Sequence, residues 1–384
     1  IIHYKKCAHT MFPNHFFVKN LTRFNLNKRF KNGMGYRFKY ATSLVLCFSV
    51  GILGCSHFSE DKGYSSSKQF DRVSASFHNS NGTQSSKSFF DFLSFLQKFI
   101  LRTVDPFEKE GFPWQKPNMH FSSEQPSVTW IGHSTLLVRF NGKTILTDPI
   151  FSNRASPFSI LGPKRVVPPA LSLYELPPVD FVVISHSHYD HLDLKTIKEL
   201  AIKSKKTVFF VPLGLKGLLE GVGARKVFEL DWWDEVRMDG LTFIATPAHH
   251  WSARSLFDRN KSLWASWMVV SQHFRFWFSG DTGYSDDFTE IRKRIGEPDL
   301  AAIPIGAYSP RSFMKNSHVN PREAVDIFLD LGAKKAVAIH WGTFKLSTEL
   351  LDEPPEKLQS ALEAKNISQD LFKVLGHGET LFLD

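Results

Sequence analysis

Ser185-His186-Ser187-His188-Tyr189-Asp190-His191-Leu192-Asp193 is the most informative run in this 384-residue chain. Three imidazoles and a carboxylate fall within six residues, at His186, His188, Asp190 and His191. The run begins where the apolar segment Phe181-Val182-Val183-Ile184 ends. That segment reads as a buried strand handing a loop to the edge of a sheet. In an extended or turning loop, His186 and His188 point to the same side. Asp190 and His191 then turn toward a second point nearby. Imidazole nitrogen and carboxylate oxygen are donors for zinc, and for iron or manganese at similar sites. Four donors crowded together predict two ions.

Two tetrahedral ions need further donors. The chain offers them at the ends of later apolar segments. His249-His250 follows Thr246-Pro247-Ala248. Asp281 lies in Ser279-Gly280-Asp281-Thr282-Gly283, and His340 follows Ala336-Val337-Ala338-Ile339. Chemistry alone leaves the choice between His249 and His250 open. An Asp in a Gly-rich turn is by itself most often a turn former, so the weight lies in the set.

Working outward, strands are expected at Val128–Ile131, Leu136–Phe140 and Thr144–Thr147, with Asn141-Gly142 as a hairpin turn. After the histidine run, helices at Leu194–Ser204 and Leu215–Gly221 alternate with a strand at Val208–Val211. Further strands are expected at Leu241–Ala245, Ser266–Val270, Phe274–Phe278, Leu300–Ile303 and Lys335–Ile339, with a helix at Pro321–Leu331. Hairpins first, then alternation with helices, predict an α/β (α+β) chain of two stacked mixed sheets flanked by helices.

Charge and cysteine usage narrow the function. The net charge of +9 invites a nucleic-acid reading, but nine Lys and Arg and no acidic residue lie in residues 1–54. The other 38 basic side chains meet 38 acidic ones in residues 55–384. A neutral body exerts little sequence-independent pull on phosphate backbones, so nucleic acid is not an expected partner. Cys7, Cys47 and Cys55 are the three cysteines, so neither a disulfide nor a thiolate can serve the body.

The N-terminal excess reads as an address. Residues 1–33 are expected to be an untranslated or leader segment, with translation starting at Met34. Residues 34–54 then form a basic and apolar secretory signal, too short for a membrane span. Ile52-Leu53-Gly54-Cys55 resembles a bacterial lipobox, which implies a lipid anchor on Cys55 in the cell envelope. Residues 55–104 are expected to hold a polar tether, Ser56 to Ser88, and a Phe-rich helix from Phe89 to Thr103. Residues 105–384 are expected to form the catalytic domain.

The order His-x-His-x-Asp-His, then His, Asp and His, resembles the metallo-β-lactamase superfamily. Within it, the chain resembles the N-acyl-phosphatidylethanolamine phospholipase D family. The matching stretches include Thr129–His133, Leu146–Ser152, Gly162–Arg165, Ile184–Asp193, Glu229–Trp233, Gly280–Tyr284, Leu300–Tyr308 and Ile339–Phe344. The resemblance implies the metallo-β-lactamase fold, a four-layer αββα sandwich. It implies two Zn2+ per chain, with iron or manganese as substitutes. One ion would be held by His186, His188 and His250, the last chosen over His249 because it precedes Trp251. The other would be held by Asp190, His191 and His340, with Asp281 bridging; Asp190 and Asp281 are also the expected catalytic carboxylates. Tyr189 and His318 are expected to contact the substrate headgroup, and Asp148 to orient a ligand imidazole. Lys164 and Arg165 are offered to phosphate or simply solvated.

The function this implies is hydrolysis of N-acyl-phosphatidylethanolamine to N-acylethanolamine and phosphatidic acid. The ions would lower the pKa of a shared water and clamp the charge that develops on the phosphoryl oxygens. The partner would be a phospholipid substrate at a membrane surface, and a homodimer is compatible. Two alternatives stand beside it: a lactone, thioester or β-lactam hydrolase on the same site, and a non-catalytic lipid- or partner-binding lipoprotein.

Overall fold

A computed structural model describes residues 63–83, 93–94, 97, 112–119 and 124–383. A small hairpin, β1 (Phe70–Asp71) and β2 (Ser76–Phe77), comes first. The meander β3 (Ser127–Gly132), β4 (Thr135–Phe140) and β5 (Lys143–Thr147) follows. Next come β6 (Phe181–Val183), α1 (Leu194–Lys203), β7 (Val208–Pro212), α2 (Lys216–Gly221) and β8 (Lys226–Leu230). The second half runs β9 (Glu235–Met238), β10 (Leu241–Thr246), β11 (Ser266–Val270), β12 (Arg275–Phe278), α3 (Asp287–Ile295) and β13 (Leu300–Pro304). It closes with α4 (Arg311–Met314), α5 (Pro321–Leu331), β14 (Lys335–Ile339), α6 (Glu353–Ala364), β15 (Phe372–Lys373) and β16 (Thr380–Phe382).

Two seven-stranded sheets result, ordered β16-β3-β4-β5-β6-β7-β8 and β15-β14-β13-β12-β11-β10-β9. Both are mixed. β3, β4 and β5 pair antiparallel, then β5 to β8 pair parallel. β9 to β12 pair antiparallel, then β12 to β15 parallel.

Period-two alternation sorts the side chains between layers. Leu136, Val138, Phe140, Phe181 and Val183 join the core between the sheets, with Phe243, Trp267, Phe276 and Phe278. Their neighbours Leu137, Val182 and Ile184 lie on the opposite face, against Ile197 and Leu200 of α1 and Leu219 of α2. On the other side, α3 contributes Phe288 and Ile291, and α5 contributes Ala324, Val325 and Phe328. This is the expected αββα sandwich. α5 carries its own limits: Asn320 and Glu323 form a capping box, Pro321 opens the helix, and Gly332 at φ 63° closes it.

The core also grips the loops at one edge. The indole N–H of Trp267 donates to the Ile184 carbonyl (2.8 Å), that of Trp130 to His133 (2.8 Å) and that of Trp264 to Ala248 (2.9 Å). All three tryptophans are essentially fully buried. Each indole therefore fixes a loop that carries donors for the site.

The N-terminal segment differs from the expected tether. Residues 63–83, inside the polar stretch Ser56 to Ser88, are packed on the domain. Phe77 is fully buried and stacks among Tyr64 and Phe70 at centroid distances of 5.6 and 5.1 Å. The Phe77 N–H donates to the Asn260 carbonyl (2.8 Å), and Lys261 Nζ donates to the Ala75 carbonyl (2.7 Å). Three aromatics spaced through a polar stretch suffice to dock it on the domain, where composition alone suggests a coil. Residues 34–55 and most of the Phe-rich stretch lie outside the described residues. No helix among the described residues is long and apolar enough to cross a membrane.

Candidate metal centre

β3, β5, β6, β10, β12 and β14 end at one rim of the sandwich. β10 and β12 run the same way because both pair antiparallel with β11. β3 and β5 do so through β4. The residues that follow these ends are His133, Asp148, the 185–193 run, His249-His250, Asp281 and His340. Strand direction thus gathers donors that are spread over two hundred residues of sequence.

The first group is His186, His188 and His250. His188 Nδ1 lies 2.8 Å from His186 Nε2 and 3.2 Å from His250 Nε2. The outer nitrogens fix the tautomers. His250 Nδ1 donates to the Ser317 carbonyl at 2.8 Å. Ser185 Oγ donates to Asp148 Oδ2 (2.5 Å), so its lone pair accepts from His186 Nδ1 (2.8 Å). Both inner Nε2 atoms are then bare acceptors facing a third nitrogen. Burial holds His186 and His250 well below the usual imidazole pKa, and takes His188 to about 3. Three converging lone pairs repel one another unless a Lewis acid sits among them.

The second group is Asp190, His191 and His340, with His133 behind it. Asp190 Oδ2 lies 3.3 Å from His191 Nε2 and 3.4 Å from His340 Nε2. His191 Nδ1 donates to Asp148 Oδ2 at 2.6 Å, leaving Nε2 turned inward. Burial opposes charge on His191. The carboxylates of Asp281, Asp190 and Asp148 together outweigh it and raise its pKa well above the ordinary value. His340 rises to about 9: burial again opposes, and Asp281 and Asp190 prevail. The field that holds protons here is the field a divalent cation would meet.

Asp281 spans both groups. Its Oδ2 is 3.2 Å from His191 Nε2, 3.8 Å from His250 Nε2 and 3.9 Å from His186 Nε2, and its Oδ1 is 3.1 Å from His340 Nε2. Among the described residues, Asp281 Oδ1, His188 Nε2, His191 Nε2 and both nitrogens of His340 are buried without a well-aimed hydrogen bond. Such a concentration of orphaned polar atoms is rare in a folded interior. The donors fit two N/O-ligated cations.

The backbone at His340 is specialised. His340 adopts φ 63°, and a Cβ on Gly306 would lie 2.1 Å from the His340 carbonyl oxygen. Gly306→Ala is therefore expected to push His340 off its position. We expect about 1–3 kcal/mol of destabilisation from the overpacking, with metal loss confined to the Asp190 group, read by thermal melting and elemental analysis.

Of the two adjacent histidines, His250 faces His188, while His249 lines a separate cleft with Asn81, Thr83 and Tyr284. Asp148 orients two ligand imidazoles, not one. Arg165 is turned inward: it donates to the Ile150 carbonyl (2.6 Å) and stacks on Phe344, so it is occupied structurally. Lys164 is exposed. Asp193 caps α1 through Lys195 N (3.2 Å) and also holds Thr196 Oγ1 and Ser152 N.

Tyr189 and His318 flank the centre. His318 Nδ1 is 3.8 Å from Asp281 Oδ2. The Tyr189 hydroxyl donates to the Arg254 carbonyl at 2.8 Å, and the Arg254 guanidinium lies 4.0 Å above its ring. Arg254 Nη1 also donates to the Ser187 and Leu192 carbonyls (2.7 and 2.8 Å) on either side of the histidine run. Beside Tyr189 opens a cleft of about 440 Å³ whose lining includes Arg154, Phe158, Leu194, Lys195, Leu218 and Arg254.

Three residues of the site are not reached by reasoning from sequence as ligands or supports. His133 Nε2 donates to Asp190 Oδ2 at 3.0 Å, Arg254 ties the run, and Asn79 holds the His250 backbone. His133 carried a signal, a histidine at a strand end like the others. The other two carried none.

Comparison with known proteins agrees with this geometry. The family model described as a β-lactamase superfamily domain matches residues 143–341. The chain is 44% identical over 254 residues to N-acyl-phosphatidylethanolamine-hydrolyzing phospholipase D 1 of Caenorhabditis elegans, covering 63% of this chain and 71% of that protein. It is 40% identical over 242 residues to the mitochondrial N-acyl-phosphatidylethanolamine-hydrolyzing phospholipase D of Saccharomyces cerevisiae, 61% of this chain and 51% of that one. An uncharacterized protein of Mycobacterium tuberculosis is 42% identical over 67% of this chain and 69% of its own. Among solved structures, an isothiocyanate hydrolase from Delia radicum gut bacteria superposes with a TM-score of 0.54 at 19% identity, over 66% of this chain and 98% of that one. A metallo hydrolase of Ignicoccus hospitalis gives 0.50 at 20% identity, over 68% and 99%. At such identities the two structures speak to the fold alone.

Proposed function

The chain belongs to the β-lactamase superfamily and, within it, to the family of the N-acyl-phosphatidylethanolamine-hydrolyzing phospholipases D, and from that premise we propose that it is a two-zinc phosphodiesterase cleaving N-acyl-phosphatidylethanolamine to N-acylethanolamine and phosphatidic acid. The observation that carries the hydrolase reading is the pair of donor groups sharing Asp281. The named activity of the worm and yeast relatives supports the substrate.

Zinc, when bound, supplies Lewis acidity and brings the pKa of water near neutrality. His186, His188 and His250 would hold one ion, and Asp190, His191 and His340 the other, with Asp281 between. Asp148 and Ser185 take the outer ring protons of His191 and His186, which aims the Nε2 atoms of both inward. His133 holds one oxygen of Asp190, which limits how that carboxylate can turn. His318 stands within reach of a group bound against Asp281 and would meet a phosphoryl oxygen. The Tyr189 hydroxyl proton is given to Arg254, so Tyr189 would offer the headgroup its ring and the hydroxyl lone pair. The phospholipid is met at a membrane surface, where a lipid on Cys55 would keep the enzyme. The support for that anchor is the sequence of residues 34–55.

The test is a substrate panel with metal content measured on the same sample. Purified protein given vesicles containing N-acyl-phosphatidylethanolamine is expected to release N-acylethanolamine and phosphatidic acid. Turnover of lactones or β-lactams with no release of N-acylethanolamine would overturn the phosphodiesterase reading. Fewer than one ion per folded chain, with no turnover of either kind, would favour a binding protein.

A further inference from the structure

Asn79 belongs to the packed segment 63–83, which lies N-terminal to the matched residues 143–341 and was expected to be a tether. It is fully buried. Its side-chain carbonyl Oδ1 accepts two hydrogen bonds, from the His250 main-chain N–H (3.0 Å) and from the Trp264 indole N–H (3.0 Å). One oxygen thus joins the backbone of a metal-site histidine to a core tryptophan. Asn79 is itself fixed by a turn, with Gly82 N donating to its carbonyl (2.8 Å) and its own N–H donating to Thr83 (3.0 Å). Phe77, two residues earlier, anchors that turn in the core. The opposite wall is tied in the same way. Asn260 accepts from Phe77 N, and its side chain accepts from Ser252 N (3.2 Å).

Among the described residues, the other polar neighbours of His250 all meet its ring: Nδ1 the Ser317 carbonyl, and Nε2 both His188 and Asp281. Asn79 is the side chain that holds its main chain. Without that acceptor, the His250 N–H is buried and unsatisfied, and the loop must shift to satisfy it. A ligand imidazole must sit within about half an ångström of its place to bind well. We propose that Asn79 is a positioning residue of the metal centre, acting through His250, and that segment 63–83 is a strap completing the catalytic unit.

The proposal rests on the two-ion reading, and it predicts an asymmetric defect. Loosening His250 weakens the ion held with His186 and His188. The Asp190, His191 and His340 group is untouched. Asn79→Asp keeps the accepting oxygen and replaces the amide Nδ2, which has no hydrogen-bond partner among the described residues, with a second oxygen that burial favours in its protonated form.

The experiment titrates full-length metal-free wild type, Asn79→Ala, Asn79→Asp and Phe77→Leu with Co2+ and Zn2+. Binding is followed by the Co2+ visible spectrum and by elemental analysis, and folding by circular dichroism. Asn79→Ala is expected to bind one ion normally and the other about 10–100-fold more weakly, the usual effect of removing a group that orients a ligand. Asn79→Asp is expected to bind both as wild type does. Phe77→Leu is expected to melt earlier but keep both ions, separating loss of packing from loss of the acceptor. Equal affinity for both ions in wild type and Asn79→Ala would overturn the proposal. So would equal losses in Asn79→Asp and Asn79→Ala. If Asn79→Ala does not fold, the Asp and Leu variants still decide: Phe77→Leu losing the same ion with the acceptor present overturns it. Wild type that binds no second ion overturns the two-ion reading instead, and the two failures are distinguishable.

Discussion

Asp281→Ala is expected to leave at most one ion per chain and to lower hydrolytic turnover by at least about a thousandfold. Asp281 lies within 4 Å of donors from both groups: Oδ1 faces His340, and Oδ2 faces His191 as well as His250 and His186. Burial alone would favour its neutral acid. The imidazoles of His191, His340 and His318 overcome that and hold the carboxyl well below the usual range. The carboxylate is therefore ionised where the cations would sit. Removing one partner from a buried charge pair costs about 3–5 kcal/mol, which is roughly two to four decades in affinity. Asp281→Asn separates the causes, because it keeps the shape and removes the charge. If charge bridging is the role, Asn is nearly as poor as Ala in metal content measured by elemental analysis. Full activity in the double variant His188→Ala with Asp281→Ala would sink the metal mechanism outright.

Every direct donor follows an apolar segment, so the pattern of strand then His or Asp is visible along the chain. The strands themselves were legible because they are buried on both faces: β4, β7 and β13 are buried throughout. β9 was not legible, because its residues are exposed or half-buried in alternation. α3 was also missed, since it buries only Phe288 and Ile291 in an otherwise charged nonapeptide. α6 opens on Glu353-Pro354-Pro355, which reads as a loop until Leu358 and Leu362 are seen to be buried.

Supports were harder to read than ligands. Asn79 and Arg254 act at the main chain of the site, through the His250 N–H and the Ser187 and Leu192 carbonyls. Main-chain partners leave no pattern of residue types. Segment 63–83 was hidden for a related reason. Its docking depends on Phe77 meeting a core contributed by strands fifty or more residues later. Local composition is polar, and only the tertiary contact reveals the anchor.

Asp148→Asn is the second large effect, and it reaches the chemistry through tautomers. Asp148 is fully buried at the end of β5, in a left-handed backbone conformation with φ 33°. Its two oxygens accept three hydrogen bonds: Ser185 N to Oδ1 (2.7 Å), and Ser185 Oγ and His191 Nδ1 to Oδ2 (2.5 and 2.6 Å). An amide of the same shape can accept only through its one oxygen. If that oxygen keeps the Ser185 N–H, the NH2 faces two donors. His191 must then give up its Nδ1 proton and carry it on Nε2, the nitrogen that faces Asp190 and Asp281. Protonated there, it has no lone pair for a cation. Ser185 must also turn its hydroxyl, which frees His186 Nδ1 and loosens the tautomer of a second ligand. One substitution thus spoils an imidazole in each donor group. Loss of a single orienting partner costs about 10–100-fold, so with both affected we expect a fall in turnover toward about ten-thousandfold. Such losses can compound when each ligand fails independently. The fold should survive, because the side chain is isosteric and Ser185 N remains bonded, and circular dichroism is expected to match wild type. A tautomer defect, unlike a packing defect, is visible in the imidazole nitrogen shifts of His191 and His186 by NMR of the metal-free protein, at a pH alkaline enough to leave one proton on each ring. If Asp148→Asn turns over at the wild-type rate with both nitrogens unmoved, Asp148 is a structural carboxylate and nothing more.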